Sequence, residues 1–267
     1  MSEARGLFVS FEGVDGSGKS TQARLLAERL RAQGREVVLT REPGGSPGAE
    51  EIRRLVLTGD RARWSAETEI LLFTAARRDH LERTIRPALA RGAVVLTDRF
   101  ADSTRLYQGT TRGDLRALVD QLHALMIGME PDLTVVIDMD PAKALARSLD
   151  RLGSAGTDPL REIRREAASA AAELLGRPDA PILLGGDPSS AMQEVDRAED
   201  LLAAARRSAA EDRFEAFGLP FQVRIRQGFL DLAREHPSRI TVIDGDRPEA
   251  QVAEDVAQAA LARLGAG

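Results

Sequence analysis

The sequence predicts an α/β fold, a five-stranded parallel sheet with helices packed on its faces. Three observations carry this expectation. Five short apolar, β-branched runs lack polar alternation, the pattern of strands buried on both faces of a parallel sheet. Helical patterns lie between them, as right-handed crossover connections require. A glycine-rich stretch separates the first run from the first helical pattern, the strand–loop–helix order of a phosphate-binding turn.

Taken in order, Leu7–Phe11 is the first strand and Gln22–Gln33 the helix that follows it. Val37–Thr40 is the second strand, followed by helical patterns over Gly48–Leu57 and Thr68–Arg91. Ala93–Thr97 is the third strand, Leu115–Met126 a helix, Leu133–Ile137 the fourth strand and Pro141–Arg147 a helix. Ile240–Ile243 is the fifth strand, and Pro248–Leu264 an amphipathic helix. The rhythm breaks between Ser148 and Ala210, where the chain turns rich in Ala, Arg and Glu. Ile163, Ala167, Ala170 and Leu174 form one helical stripe there, and Val195, Ala198, Leu202, Ala205 and Ala209 another. Gly176–Pro188, dense in turn residues, would connect them. This reads as a helical hairpin inserted in a compact fold, the alternative being a charged linker. Length alone, 267 residues, would suggest about two domains. The pattern suggests instead one core, residues 1–147 and 211–267, carrying an insertion at 148–210.

Composition excludes several classes. The chain has no cysteine, hence no disulfide frame, thiolate zinc site or cysteine nucleophile. Its formal net charge is −5, not the basic footprint of a general nucleic-acid binder. No run approaches the ~18 apolar residues of a membrane span, and the first residues are too briefly apolar for a signal peptide. A cytoplasmic protein that binds neither membrane nor nucleic acid is expected. Asparagine is absent, so there is no N-glycosylation acceptor. Of the 37 basic residues only Lys19 and Lys143 are lysine.

Gly13-Val14-Asp15-Gly16-Ser17-Gly18-Lys19-Ser20-Thr21 fits G-x-x-x-x-G-K-[ST] in the required context. Glycines let successive backbone N–H groups converge on phosphate oxygens, and the helix opening at Lys19 presents its positive end. Lys19 would supply a point charge to the β- and γ-phosphates, and the Ser20 hydroxyl would ligate Mg²⁺. Thus one of two lysines occupies the position where this chemistry needs an ammonium. Lys143 reads as a surface residue. A dinucleotide fingerprint fails because Thr21 stands where its third glycine belongs. A guanine-reading Asn-Lys-x-Asp and a protein kinase's catalytic-loop Asn are both impossible without asparagine. A small-molecule phosphotransferase or an ATPase remains.

Thr40-Arg41-Glu42-Pro43-Gly44-Gly45 and Asp98-Arg99 fall at the carboxyl ends of the second and third strands, where parallel sheets bind ligands. Arg41 and Arg99 can hold an acceptor phosphate bidentately. Asp15, Glu42 and Asp98 add carboxylates for Mg²⁺ or sugar hydroxyls.

With these residues in place the chain resembles the thymidylate kinase family, nucleoside-monophosphate kinases of the P-loop NTPase type that phosphorylate dTMP with ATP. The matching pieces are Phe11–Thr21, Thr40–Ser46, Glu67–His80, Ile85–Gly92 and Asp98–Gly109, then Glu211–Glu215 and Val242–Gly245 beyond the insert, all in family order. The resemblance implies roles residue by residue. Phe73 would stack on the thymine, and Arg77, one helical turn on, would donate to a thymine carbonyl. Ser103, Thr104 and Gln108 would line the base or sugar, and Tyr107 would close against the 2′ position. Asp15 would take the 3′-hydroxyl, with Arg41 and Arg99 on the acceptor phosphate and Ser20 and Asp98 on Mg²⁺. A homodimer is implied too.

Three departures stand out. Phe100 replaces a common Tyr, Thr104 stands where relatives often carry Asn, and the insert falls where the family has a short lid. With no arginine in the P-loop, the family pattern expects a lid arginine. Arg147, Arg151, Arg206, Arg207 and Arg213 are the candidates, Arg213 foremost. Two rivals stay open at this point. One is a P-loop kinase for another monophosphate or a deoxynucleoside. The other is an inactive nucleotide-binding scaffold that uses the insert as an interaction arm.

Overall fold

The computed structural model describes residues 6–58, 63–109, 113–154 and 219–265. Strand β1 (Phe8–Glu12) leads through the glycine-rich loop into α1 (Lys19–Ala32), then β2 (Val37–Arg41), α2 (Pro47–Leu57) and α3 (Ala66–His80). A π-helical turn, Leu81–Ile85, joins α3 to α4 (Arg86–Ala90). Next come β3 (Val94–Asp98), α5 (Ala101–Tyr107), α6 (Arg116–Met126), β4 (Leu133–Asp138) and α7 (Pro141–Ser154). The described chain resumes with α8 (Leu219–Glu235), β5 (Ile240–Asp244) and α9 (Glu249–Gly265).

All strand pairings are parallel, in the order β2-β3-β1-β4-β5. The three interior strands are almost wholly buried, as unbroken apolar runs predict. The edge strands β2 and β5 are partly exposed, so for them the run does not mean two covered faces. Side chains alternate across the sheet. Val9 and Phe11 meet Leu26 and Leu30 of α1 and Val252 and Val256 of α9. Phe8 packs the other way, on Leu81, Ile85 and Phe100. Tyr107 of α5, Met139 and Ala144 beside β4, and Phe221 and Ile225 of α8 extend that second face. The result is three layers, helices on both sides of one sheet. The chain leaves β1 toward β2 on one side and passes from β3 to β4 on the other, so the switch point lies at β1, where such sheets bind ligands.

Each strand runs one residue past its expected end and so includes Glu12, Arg41, Asp98, Asp138 and Asp244. The expected single helix over Thr68–Arg91 is broken by the π-helical turn. Pro87 lies within α4 and has no N–H to return to residue 83; a wider helical turn accommodates its ring. Helices α5 and α8 were not expected; the first is only seven residues long and the second begins at Leu219. Helix α7 continues to Ser154 without a break at 148. The rest of the expected insertion, residues 155–210, lies outside the described residues, as does Arg213.

Candidate active site

The loop between β1 and α1 is shaped by glycine. Gly16 has φ +84°, and a Cβ there would lie 1.9 Å from the Ala144 carbonyl oxygen, so α7 packs directly on the loop. Gly18 caps α1 in the left-handed region, and a Cβ on it would meet no protein atom. The first turn of α1 carries no acidic residue and no side-chain cap, which leaves its N–H groups for an anion. Lys19 is buried, its ammonium donating to the Val14 carbonyl at 2.9 Å and lying 4.0 Å from Asp15. Burial and the nearby Arg99 charge push Lys19 down to about 8, against the pull of Asp15, Asp98 and Glu12.

Ser20 and Asp98 come together from α1 and β3, the hydroxyl donating to one carboxylate oxygen. The other Asp98 oxygen is buried without a protein partner. Among the described residues no three His, Asp or Glu side chains cluster as a metal cage. Mg²⁺ needs none, since one or two carboxylates plus substrate phosphates and water suffice, and the hydroxyl–carboxylate pair fits that donor set.

Arg99, the residue after β3, is alone among the described non-glycine residues in having positive φ, at +70°. Its backbone is tied on both sides, the N–H to the Phe11 carbonyl and the carbonyl to the Thr97 hydroxyl, each at 2.9 Å. Its guanidinium donates to Asp15, to Ser103 Oγ at 2.9 Å and to the Tyr107 hydroxyl at 3.3 Å, and lies over the Tyr107 ring. Tyr107 in turn donates to Asp15 at 3.2 Å. Burial alone would raise the Asp15 carboxyl. The charges of Arg99 and Lys19, with hydrogen bonds from Tyr107 and Gln222, outweigh it and hold the carboxyl below its usual value.

A second chain of contacts joins the end of β2 to α3. Arg77 is buried and donates through Nε to Glu42 at 2.7 Å and through Nη2 to Thr104 Oγ1 at 2.9 Å. His80 bridges Thr40 at 2.8 Å and the second Glu42 oxygen at 3.0 Å. Both Glu42 carboxylate oxygens are therefore engaged in this network. Through these contacts it holds Arg77 in place. Phe73 is buried beside Val56 and Leu57, one turn before Arg77. The Arg77 guanidinium covers the face of Phe100, 5.1 Å from the ring centroid, and Phe8 packs edge-on against the same ring at 5.0 Å. Phe100 is thus a core aromatic, buried between Phe8 and Arg77.

Asp15, Ser20, Asp98, Arg99, Ser103 and Tyr107 thus converge at the carboxyl ends of β1 and β3. Arg41 lies opposite Asp98 in the sheet register but is exposed and paired with Glu50 at 3.2 Å. Gln108 is buried with its amide nitrogen unpartnered, as is the Ser17 hydroxyl in the loop. Arg147 lies on α7 with Nη1 3.4 Å from Met139 Sδ, while Arg206, Arg207 and Arg213 fall outside the described residues. Lys143 is exposed and pairs with Asp246, a surface residue as expected. Among the buried polar residues that were not anticipated, Glu12, His80 and Gln222 act on site residues: Glu12 on Ser103, His80 on Glu42 and Gln222 on Asp15. Glu12 had a visible signal, an acid ending a buried and largely apolar strand. Gln222 had none, because its helix was not foreseen.

The family model for thymidylate kinase matches residues 11–175. Thymidylate kinase of Dinoroseobacter shibae is 57% identical over 251 residues, 94% of each chain. That of Ruegeria pomeroyi is 56% identical over 259 residues, 97% of this chain and 96% of its own. Among solved structures, thymidylate kinase from Ehrlichia chaffeensis superposes with a TM-score of 0.60 at 29% identity, covering 95% of this chain and 98% of that one. Motif order, sheet topology and near full-length identity agree, and this chain belongs to the thymidylate kinase family.

Proposed function

We propose that this chain transfers the γ-phosphoryl group of ATP to the 5′-phosphate of dTMP, making dTDP, through the residues gathered above β1 and β3. The observation that carries the reading is the contact between two half-sites. Lys19 and Ser20, on the donor side, lie against Asp15, Asp98 and Arg99 on the acceptor side. ATP phosphates would rest on the N–H groups of the Gly13–Thr21 loop, with Gly16, Ser17 and Gly18 wrapping them and Lys19 reaching the β- and γ-oxygens. Arg99, with Arg41 released from Glu50, would hold the acceptor phosphate. Asp15 would take the 3′-hydroxyl, and Tyr107 would crowd the 2′ position. Phe73, Arg77, Ser103, Thr104 and Gln108 would enclose the base. Arg77 spends Nε and one Nη on protein, so the remainder of its fork can reach a pyrimidine oxygen.

The acceptor phosphate is ionised at neutral pH, so the step needs no strong base. Alignment and charge neutralisation supply most of the acceleration. Mg²⁺, held by Ser20 and Asp98, would add charge neutralisation on the phosphates when bound. Arg213 is our choice of lid arginine, and residues 148–210 our choice of helical insertion. A homodimer is proposed through exposed Leu71 on α3 and Leu125 and Met126 on α6, two helices that pack together. Its substrates place the work in the cytoplasm.

The roles are tested by Arg41→Ala, which should raise KM for dTMP by about tenfold, the loss of one charge-assisted phosphate contact, with KM for ATP unchanged. An equal rise in both would remove Arg41 from the acceptor side.

A further inference from the structure

Glu12 lies outside the roles assigned so far, yet it sits where they meet. It is the last residue of β1 and shares a sheet face with Phe8 and Ser10, and its side chain turns toward α5. It has no exposed surface. One carboxylate oxygen accepts the Phe100 N–H at 2.7 Å. The other accepts from Ser103 Oγ at 2.6 Å, and that same oxygen of Ser103 accepts from Arg99 Nη1 at 2.9 Å. Glu12 therefore grips Arg99 twice, through the next residue's backbone and through the hydroxyl that orients its guanidinium.

The grip matters because Arg99 sits in a conformation that non-glycine residues avoid, a strain that surrounding contacts must offset. The N–H of Arg99 and its carbonyl are held by Phe11 and Thr97, which fix the turn up to Arg99 itself. The Phe100 N–H, on the far side of the turn, has Glu12 as its partner. Without it the chain loses the restraint that sends it from Arg99 into α5, the helix that carries Ser103, Thr104 and Tyr107.

We propose that Glu12 is the positioning residue for the acceptor-phosphate site: it fixes Arg99 through Phe100 and Ser103 while touching neither substrate. This rests on the reading that Arg99 holds the acceptor phosphate.

Donor and acceptor polarity makes the idea testable with a variant of nearly equal volume. In Glu12→Gln the new carboxamide must face the Phe100 N–H, an obligate donor, so the amide oxygen turns there and the NH₂ faces Ser103. Ser103 Oγ then accepts from both that NH₂ and Arg99, and its own proton loses its acceptor. The negative charge near Arg99 also disappears. Burial, together with the Asp102 charge, pushes Glu12 up to about 7, against Ser103, Arg99 and the Phe100 N–H. A neutral group at this position is therefore within reach of the fold.

The experiment compares wild type, Arg99→Ala and Glu12→Gln for KM of dTMP, KM of ATP, and inhibition by thymidine, which lacks the phosphate. Glu12→Gln should raise KM for dTMP by about tenfold, the loss of a charge-assisted restraint, while thymidine inhibition and KM for ATP change less than about twofold. Equal weakening of dTMP and thymidine would mean general damage to the pocket and would overturn the proposal, as would no change in either. Arg99→Ala tests the underlying reading separately: if it leaves KM for dTMP unaltered, that reading fails regardless of Glu12. If Arg99→Ala weakens dTMP and Glu12→Gln does not, only the Glu12 proposal fails. Should Glu12→Gln not fold, Glu12→Asp, which keeps the charge but draws it back by one methylene, must show the same split between dTMP and thymidine.

Discussion

At the scale of single residues, charge placement decides most of the site. Lys19 lies at about 8 in the free protein because it is buried beside Arg99. A group lowered this way is cationic below that pH and neutral above it. ATP affinity should therefore fall as pH rises through about 8, with proton uptake on binding at pH 8 that calorimetry in buffers of different ionisation enthalpy detects; Lys19→Ala should show neither. The same substitution should lower kcat by orders of magnitude with the fold intact. Arg77 and Glu42 form a pair whose side chains are each 4% exposed. Removing one partner of such a pair costs about 3–5 kcal/mol. Glu42→Ala should thus lower the unfolding free energy by that order in denaturant titration, and raise KM for dTMP as Arg77 loses its anchor. Lys19 was legible in the sequence because the motif fixes its chemistry. The pairing of Glu42 with Arg77 and His80 was not, since spacing along the chain does not show which carboxylate oxygens the fold consumes.

At the scale of elements, short structures carry the function. The phosphate loop depends on Gly16, where the Ala144 carbonyl leaves no room for a Cβ. Gly16→Ala should force α7 away from the loop and lower stability and ATP affinity together. Gly18→Ala meets no protein atom and should lower ATP affinity, with only the strain of its backbone conformation as a structural cost; paired thermal melts and ATP titrations separate the two. The five strands were legible because apolar β-branched runs are distinctive. Helix α5, which is rich in buried polar residues, was not. Asp102 and Arg105 pair within it at 2.7 Å, and Arg239 closes on Asp102 at 2.6 Å. A seven-residue helix whose inward face is charged gives no apolar periodicity to read.

At the scale of the whole molecule, the strand order does the assembling. Placing β1 between β3 and β4 brings the phosphate loop, Asp98 and Arg99 to one switch point, a convergence that the motifs' order in the sequence made legible before their contacts were. The same placement buries Glu12, with consequences for global stability. Its carboxyl is raised from 4.5 to about 7 in the fold, beside Asp102, Arg99 and Lys19. A raised group contributes stability that is complete below its unfolded value of 4.5 and is lost as pH climbs through about 7. Wild type should therefore lose about 3 kcal/mol relative to Glu12→Gln between those limits, read from denaturant midpoints at stepped pH. Equal pH profiles for the two proteins would contradict it.

In the proposed reaction, two half-sites on this sheet pass a phosphoryl group from ATP to dTMP. The most direct test is label transfer from γ-labelled ATP by this chain, with dTMP, dUMP, CMP and thymidine offered separately. The highest kcat/KM is expected for dTMP, with label in the β-phosphate of dTDP. Preference for thymidine, or ATP binding with no dTMP-dependent turnover, would contradict it.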